Sequence, residues 1–156
     1  MLTIMDTDIV SSLRKPRRFP HLVAWFATLP ATDIAISAPS VVEIARGIRL
    51  RAASHPGEAA RLSEWLAALL GTHQCLPLDA AAAALLGNMA AEPALRNLLM
   101  THPGAKRPQL GADLAIAAIA ISREAAVATS NARDFRLIRQ TFPALHLVIP
   151  PPISPA

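Results

Sequence analysis

Cysteine is nearly absent from this chain: Cys75 is the only one in 156 residues. A disulfide framework is thereby excluded, and the count fits a reducing compartment. Neither a Cys-x-x-Cys nor a His-x-x-x-His spacing occurs around Cys75 and the scattered histidines His21, His55, His73, His102 and His146. That argues against a structural zinc site. No apolar run reaches the ~18 residues that span a bilayer. An acid already stands at Asp6, which leaves no room for a signal peptide there, and a cytoplasmic protein is expected. Glycine is sparse, at 6 residues, while alanine is abundant; helices are favoured over a β-sandwich. Lysine is limited to Lys15 and Lys106, and no acid follows Asp134.

What is present describes a folded domain. The composition is 53% hydrophobic and 17% charged, which is globular and not disordered. The length suggests one domain, by the usual rule of about 100–200 residues each. A net charge of +4, from 15 basic against 11 acidic residues, permits nucleic-acid binding without establishing it. The densest basic run, Arg14-Lys15-Pro16-Arg17-Arg18, reads equally well as a solvated turn.

Patterning along the chain alternates strands with helices. Residues 2–5 form a short apolar strand ending at Asp6, and residues 33–37, 74–78, 125–129 and 145–149 read as further strands. Helices are expected over 8–14, stopped by Pro16, over 20–29, over 40–52, over 57–70 and over 132–140. Residues 79–100 read as helical but broken or kinked at Gly87 and Pro93. Residues 111–122 are apolar on every side, which marks a buried helix. The prolines from Pro150 to Ala156 suggest an extended or disordered tail after a domain over 1–149. Such alternation implies an α/β domain with a mostly parallel sheet of four or five strands flanked by helices.

Ligands of such sheets bind outside the carboxyl ends of the strands. Asp6 ends the first strand. Thr129, Ser130 and Asn131 end a later one, with Asp134 close behind, while Glu43 and Asp113 stand in the first turns of their helices. Each acid also has an ordinary reading. Ser40-Val41-Val42-Glu43 is a capping box, Asp113 suits a helix N-terminus, and Asp6 and Asp134 suit helix caps. Taken together they point further. Asp113 is the one charge between Arg107 and Arg123 and fronts a helix that must be buried; a buried carboxylate needs a partner or a metal. Oxygen donors of this kind suit Mg²⁺ or Mn²⁺, ions that activate water in phosphodiester cleavage.

Four segments, in order, resemble the PIN-domain ribonuclease toxins of VapBC-type toxin–antitoxin modules, including the FitB-like branch. They are Ile4-Met5-Asp6-Thr7-Asp8-Ile9-Val10 with Ser12-Leu13-Arg14-Lys15-Pro16, Ser40-Val41-Val42-Glu43, Asp113-Leu114-Ala115-Ile116-Ala117-Ala118, and Thr129-Ser130-Asn131-Ala132-Arg133-Asp134-Phe135. The last looks like the family's T-x-N-x-x-D-F signature and is the most specific. The resemblance implies a PIN-like three-layer fold. It implies that Asp6, Glu43, Asp113 and Asp134 bind one or two Mg²⁺ ions (Mn²⁺ as substitute), with Asp6 and Asp113 as direct ligands. Thr129 and Asn131 would orient the acids or the scissile phosphate. It further implies cleavage of RNA, often tRNA, a homodimer, and silencing by a small DNA-binding antitoxin whose tail lies across the active site. One position departs: Asp8 stands where the family commonly has Asn.

Two other readings remain. Asp6-Thr7-Asp8-Ile9-Val10 also fits the D-x-D motif of haloacid-dehalogenase-like phosphatases, with Asp6 as nucleophile and Asp8 as general acid/base. That chemistry needs a placed lysine and a later acidic pair, and the chain has no acid after Asp134. A non-catalytic PIN-like module that only binds RNA or protein is the second; four intact acids are a poor surface for RNA alone.

Overall fold

A computed structural model describes residues 1–99 and 111–151. Five strands form one parallel sheet: β1 (Thr3–Met5), β2 (Ile34–Ser37), β3 (Gln74–Leu76), β4 (Ala126–Ala128) and β5 (His146–Val148). Their order is β3-β2-β1-β4-β5, with every neighbour parallel. The chain builds outward from β1 to β3, then returns to the other side of β1 for β4. The topological switch point therefore lies between β1 and β4, where open α/β sheets bind their ligands.

Eight α-helices flank the sheet among the described residues: α1 (Thr7–Leu13), α2 (Pro20–Phe26), α3 (Ala38–Ala52), α4 (Pro56–Thr72), α5 (Ala80–Ala91), α6 (Arg96–Leu99), α7 (Asp113–Ser122) and α8 (Ala132–Thr141). Successive strand residues point to opposite faces, and two cores follow. Ile4, Ala35 and Val127 pack with Met89, Ile116, Ile119, Phe135 and Ile138 on the side of α5, α7 and α8. Met5, Ile34 and Ala128 pack with Ile9, Val10, Leu22 and Ile44 on the side of α1 to α4. As its all-apolar sequence requires, α7 is buried from Leu114 to Ala120.

Two local expectations need correction. The helix carrying Glu43 starts at Ala38, not 40. Ser37 is its cap, accepting from the Ser40 amide at 3.2 Å, and a proline stands in its first turn. Proline suits that turn because its missing N–H has no partner there. Glu43 thus falls in the second turn, and the capping box of Ser40 with Glu43 does not form. Gly87 breaks nothing: α5 runs through it and ends at Ala91, ahead of Pro93. A helix tolerates an interior glycine at about 1 kcal/mol, whereas proline removes a hydrogen bond and clashes. Lys106, Arg107 and the tail beyond Pro151 lie outside the described residues.

Candidate metal and nuclease site

Register places the site. Met5 lies opposite both Ile36 and Ala128, so Asp6 and Thr129 leave the sheet at one level, beside Ser37 at the end of β2. Asp6 caps α1, its Oδ1 accepting from the Thr7 amide at 2.7 Å. Its Oδ2 accepts from the buried Thr129 hydroxyl at 2.8 Å. That hydroxyl in turn accepts from the Asn131 amide at 3.0 Å. Glu43 is held by the Thr7 hydroxyl, which donates to Oε2 at 2.6 Å.

Asp6, Thr7, Asp8, Glu43, Asp113 and Asn131 line one cavity of about 280 Å³. Of the expected acids, three face it. Asp134 stands in the first turn of α8 and does not line the cavity, but its charge reaches Asp113. Thr129 is fully buried and meets the cavity only through Asp6 and Asn131. Asp8, exposed on α1, lines the cavity as a further acid while remaining open to solvent. Sequence reasoning passed over Thr7. Its signal was its position directly after Asp6, at the first residue of a helix whose start faces the switch point.

The electrostatics are those of crowded, buried anions. Burial pushes the Asp6 carboxyl up to about 6; the hydrogen bonds from Thr129 and Thr7 oppose this, and the charges of Asp8 and Glu43 add to it. Asp113 is pushed up to about 7, first by burial, then by the charges of Asp6, Asp134, Glu43 and Asp8. The ion pairs found among the described residues are Met1 with Asp33, Arg51 with Glu58 and Arg123 with Asp79. None involves the five acids. Buried like charges without a counter-cation are costly, and a hard divalent ion with oxygen ligands is the partner their chemistry fits. The acids ring the cavity without closing on a point: among the described residues no three His, Cys, Asp or Glu side chains are already gathered about one position.

With this geometry in view, the family is clear. Residues 3–140 match the PIN domain, and the chain belongs to that family. Within it, the likeness runs to VapC-type proteins. Ribonuclease VapC14 of Mycobacterium tuberculosis is 31% identical over 65 residues, an alignment that spans 42% of this chain and 63% of that relative's length. Among solved structures, FitAcB from Neisseria gonorrhoeae superposes with a TM-score of 0.75 at 23% identity, over 96% of this chain and 98% of that one. The DNA-bound VapBC of Salmonella typhimurium gives 0.67 at 24%, with the same coverage of both chains. At such identities the structural likeness speaks for the fold.

Proposed function

We propose that this protein is a metal-dependent endoribonuclease acting as the toxin of a type II toxin–antitoxin module. The observation that carries the reading is the cavity at the switch point between β1 and β4, ringed by carboxylates with no cationic partner among the described residues. Asp6 and Asp113 would hold a Mg²⁺ or Mn²⁺ ion directly, with Glu43 and Asp134 completing the acidic set. When bound, such an ion polarises a phosphodiester and supplies an activated water. Thr129 and the Thr7 amide fix both oxygens of Asp6 in one orientation. The Thr7 hydroxyl fixes Glu43 across the cavity. Asn131, on the cavity wall, would meet the phosphate. RNA is the substrate on this reading, with tRNA the first structured RNA to test. A homodimer and a VapB- or FitA-like antitoxin that covers the acids belong to the same proposal, supported by the likeness to VapC and FitAB proteins.

Asp6 and Asp8 do share the cavity, as a D-x-D phosphatase requires. Yet Lys15 lines a neighbouring groove instead, and no later acidic pair exists. Phosphate release from an aryl phosphate through a phosphorylated Asp6 would favour that alternative.

The test is direct. Purified protein cleaves RNA with Mg²⁺ or Mn²⁺ and stops with chelator, and Asp6→Asn or Asp113→Asn abolishes cleavage while the fold persists. Full activity in Asp113→Asn would overturn the site.

A further inference from the structure

A second cavity opens beside the acidic one. It holds about 370 Å³ and lies between α1, α3 and α4. Thr7 and Glu43 line both cavities, so the two adjoin across the hydrogen-bonded Thr7–Glu43 pair. The far wall differs in chemistry from the acidic end. Arg14, Lys15 and Trp65 stand there with Arg51 and Glu58. Arg51 and Glu58 pair at 2.8 Å and neutralise each other. Arg14 and Lys15 take part in none of the ion pairs among the described residues. The Arg14 guanidinium instead lies over the half-buried Trp65 ring, 5.7 Å from its centroid.

We propose that this groove is the subsite for a nucleotide adjoining the scissile phosphate in a single-stranded segment of RNA. Trp65 takes the base on its ring, and Arg14 and Lys15 take the flanking phosphate. The inference rests on the ribonuclease reading above and adds which part of the substrate sits where.

Three physical points support it. A strand whose phosphate sits at Asp6 and Asp113 must leave the acidic cavity somewhere, and this groove is adjacent, just across the Thr7–Glu43 pair. Cations beside an aromatic face are the pairing that single-stranded nucleic acid needs, since the cations track the backbone and the ring stacks a base of any sequence. Finally, a guanidinium on a ring that is still partly open to solvent is held by only about 0.5–2 kcal/mol. An arriving base can replace Arg14 on the ring, and the released side chain, a fork suited to phosphate, can then pair with the backbone. Base-paired RNA cannot do this, because its bases are already stacked; the ring selects loops, bulges and ends.

A binding experiment without turnover tests the groove. In a Trp25→Phe background Trp65 is the sole tryptophan, and a short single-stranded RNA of mixed sequence, end-labelled so that its anisotropy reads the affinity of every variant, is titrated in chelator. We expect Trp65 fluorescence to be quenched as RNA binds. Trp65→Ala and the double change Arg14→Ala/Lys15→Ala should each weaken binding by about tenfold or more. Trp65→Phe should keep most of the affinity, which separates lost stacking from lost folding. A duplex of the same sequence should bind at least about tenfold more weakly. Unchanged affinity in these variants with no quenching overturns the subsite; if the wild-type protein still cleaves RNA with Mg²⁺, the ribonuclease reading survives that failure. RNA neither bound nor cleaved overturns both. Quenching by a co-expressed partner protein but not by RNA also overturns the subsite and assigns the groove to protein binding.

Discussion

The Thr129 hydroxyl donates to Asp6 Oδ2 across 2.8 Å, joining the ends of two adjacent strands whose residues lie 123 positions apart. With the Thr7 amide on Oδ1 at 2.7 Å, both oxygens of Asp6 have a donor. Each bond favours the ionised carboxylate, and burial opposes them both. Burial prevails, leaving Asp6 at about 6. Thr129 is thus the residue that keeps Asp6 within reach of its charged form near neutral pH.

Replacing Thr129 by Val keeps the shape and removes the donor. Asp6 should then titrate still higher, and the Asn131 amide loses its acceptor. We expect ribonuclease activity near neutral pH to fall about tenfold or more, because a general loss of one charge-assisted hydrogen bond is about 1.5–3 kcal/mol. The acid limb of the pH–rate profile should move to higher pH. Thr129→Ser, which restores the hydroxyl, should restore the profile. A Val variant with reduced rate but an unmoved limb would show that Thr129 acts through packing alone.

Gly111 predicts a second effect, this time on folding. A Cβ at this position would collide with the backbone carbonyl of Leu98, and the Gly111 amide donates to Leu99 at 3.3 Å. Asp113 begins α7 two residues later. Gly111→Ala should destabilise the protein by about 1–3 kcal/mol, the usual cost of overpacking. Urea unfolding should show the midpoint falling at constant slope. Activity should fall further than the folded fraction does, because relieving the clash moves Asp113. Wild-type stability in this variant would mean that the contact between Gly111 and the Leu98 carbonyl yields freely.

Much of this site is legible in the sequence because strand ends and helix starts announce themselves. The apolar run to Met5, the apolar stretch from Leu114 and the Thr129–Phe135 segment each place an acid or its support near a strand end. The start of α3 was less legible. Ser37 and Ser40 are both acceptable caps three residues apart, and only tertiary packing chooses between them; that choice moves Glu43 into the second turn, where Thr7 reaches it. Thr7 itself gives no sequence signal of its partner, which lies 36 residues away. Periodicity reports which face of a helix is buried, not which hydroxyl crosses to a neighbouring helix. The side on which Asp8 would lie was equally undetermined, since an acid near a helix start can face solvent or site.

Acid crowding predicts an inverted pH dependence of metal-free stability. Asp6 and Asp113 titrate at about 6 and about 7, above the ordinary 3.8. Between those values and 3.8 the folded state holds more protons than the unfolded chain, so their contribution to stability falls as pH rises through that window. In chelator, the wild-type protein should therefore lose stability relative to Asp113→Asn as pH goes from about 5 to about 8. The variant should be the more stable at the upper end by on the order of 1–3 kcal/mol. Adding Mg²⁺ or Mn²⁺ should stabilise the wild type and leave Asp113→Asn nearly unchanged, as mass action requires for a ligand of the folded state. Thermal unfolding at the two pH values, with chelator and with metal, measures all of this. A wild type that gains on the variant with rising pH in chelator would contradict the crowding.

Asp8 allows the two enzymatic readings to be separated with one substitution. Its carboxylate lines the cavity and raises both Asp6 and Asp113. In a nuclease whose metal rests on Asp6 and Asp113, Asp8 adds charge without being needed as a ligand. Asp8→Asn should then lower the apparent pKa of both neighbours and shift the acid limb of the pH–rate profile to lower pH. Affinity for Mg²⁺ should weaken only a few-fold, because an exposed carboxylate is screened by solvent. RNA cleavage at saturating metal should stay within about tenfold of wild type, a change below the 10²–10⁴ that a general acid or base contributes. A D-x-D phosphatase gives the opposite result on an aryl phosphate, since there the second Asp moves the proton and its loss removes turnover. RNA cleavage abolished in Asp8→Asn at saturating Mg²⁺, with the fold intact, would take Asp8 out of the part of bystander and make it the proton-transferring group.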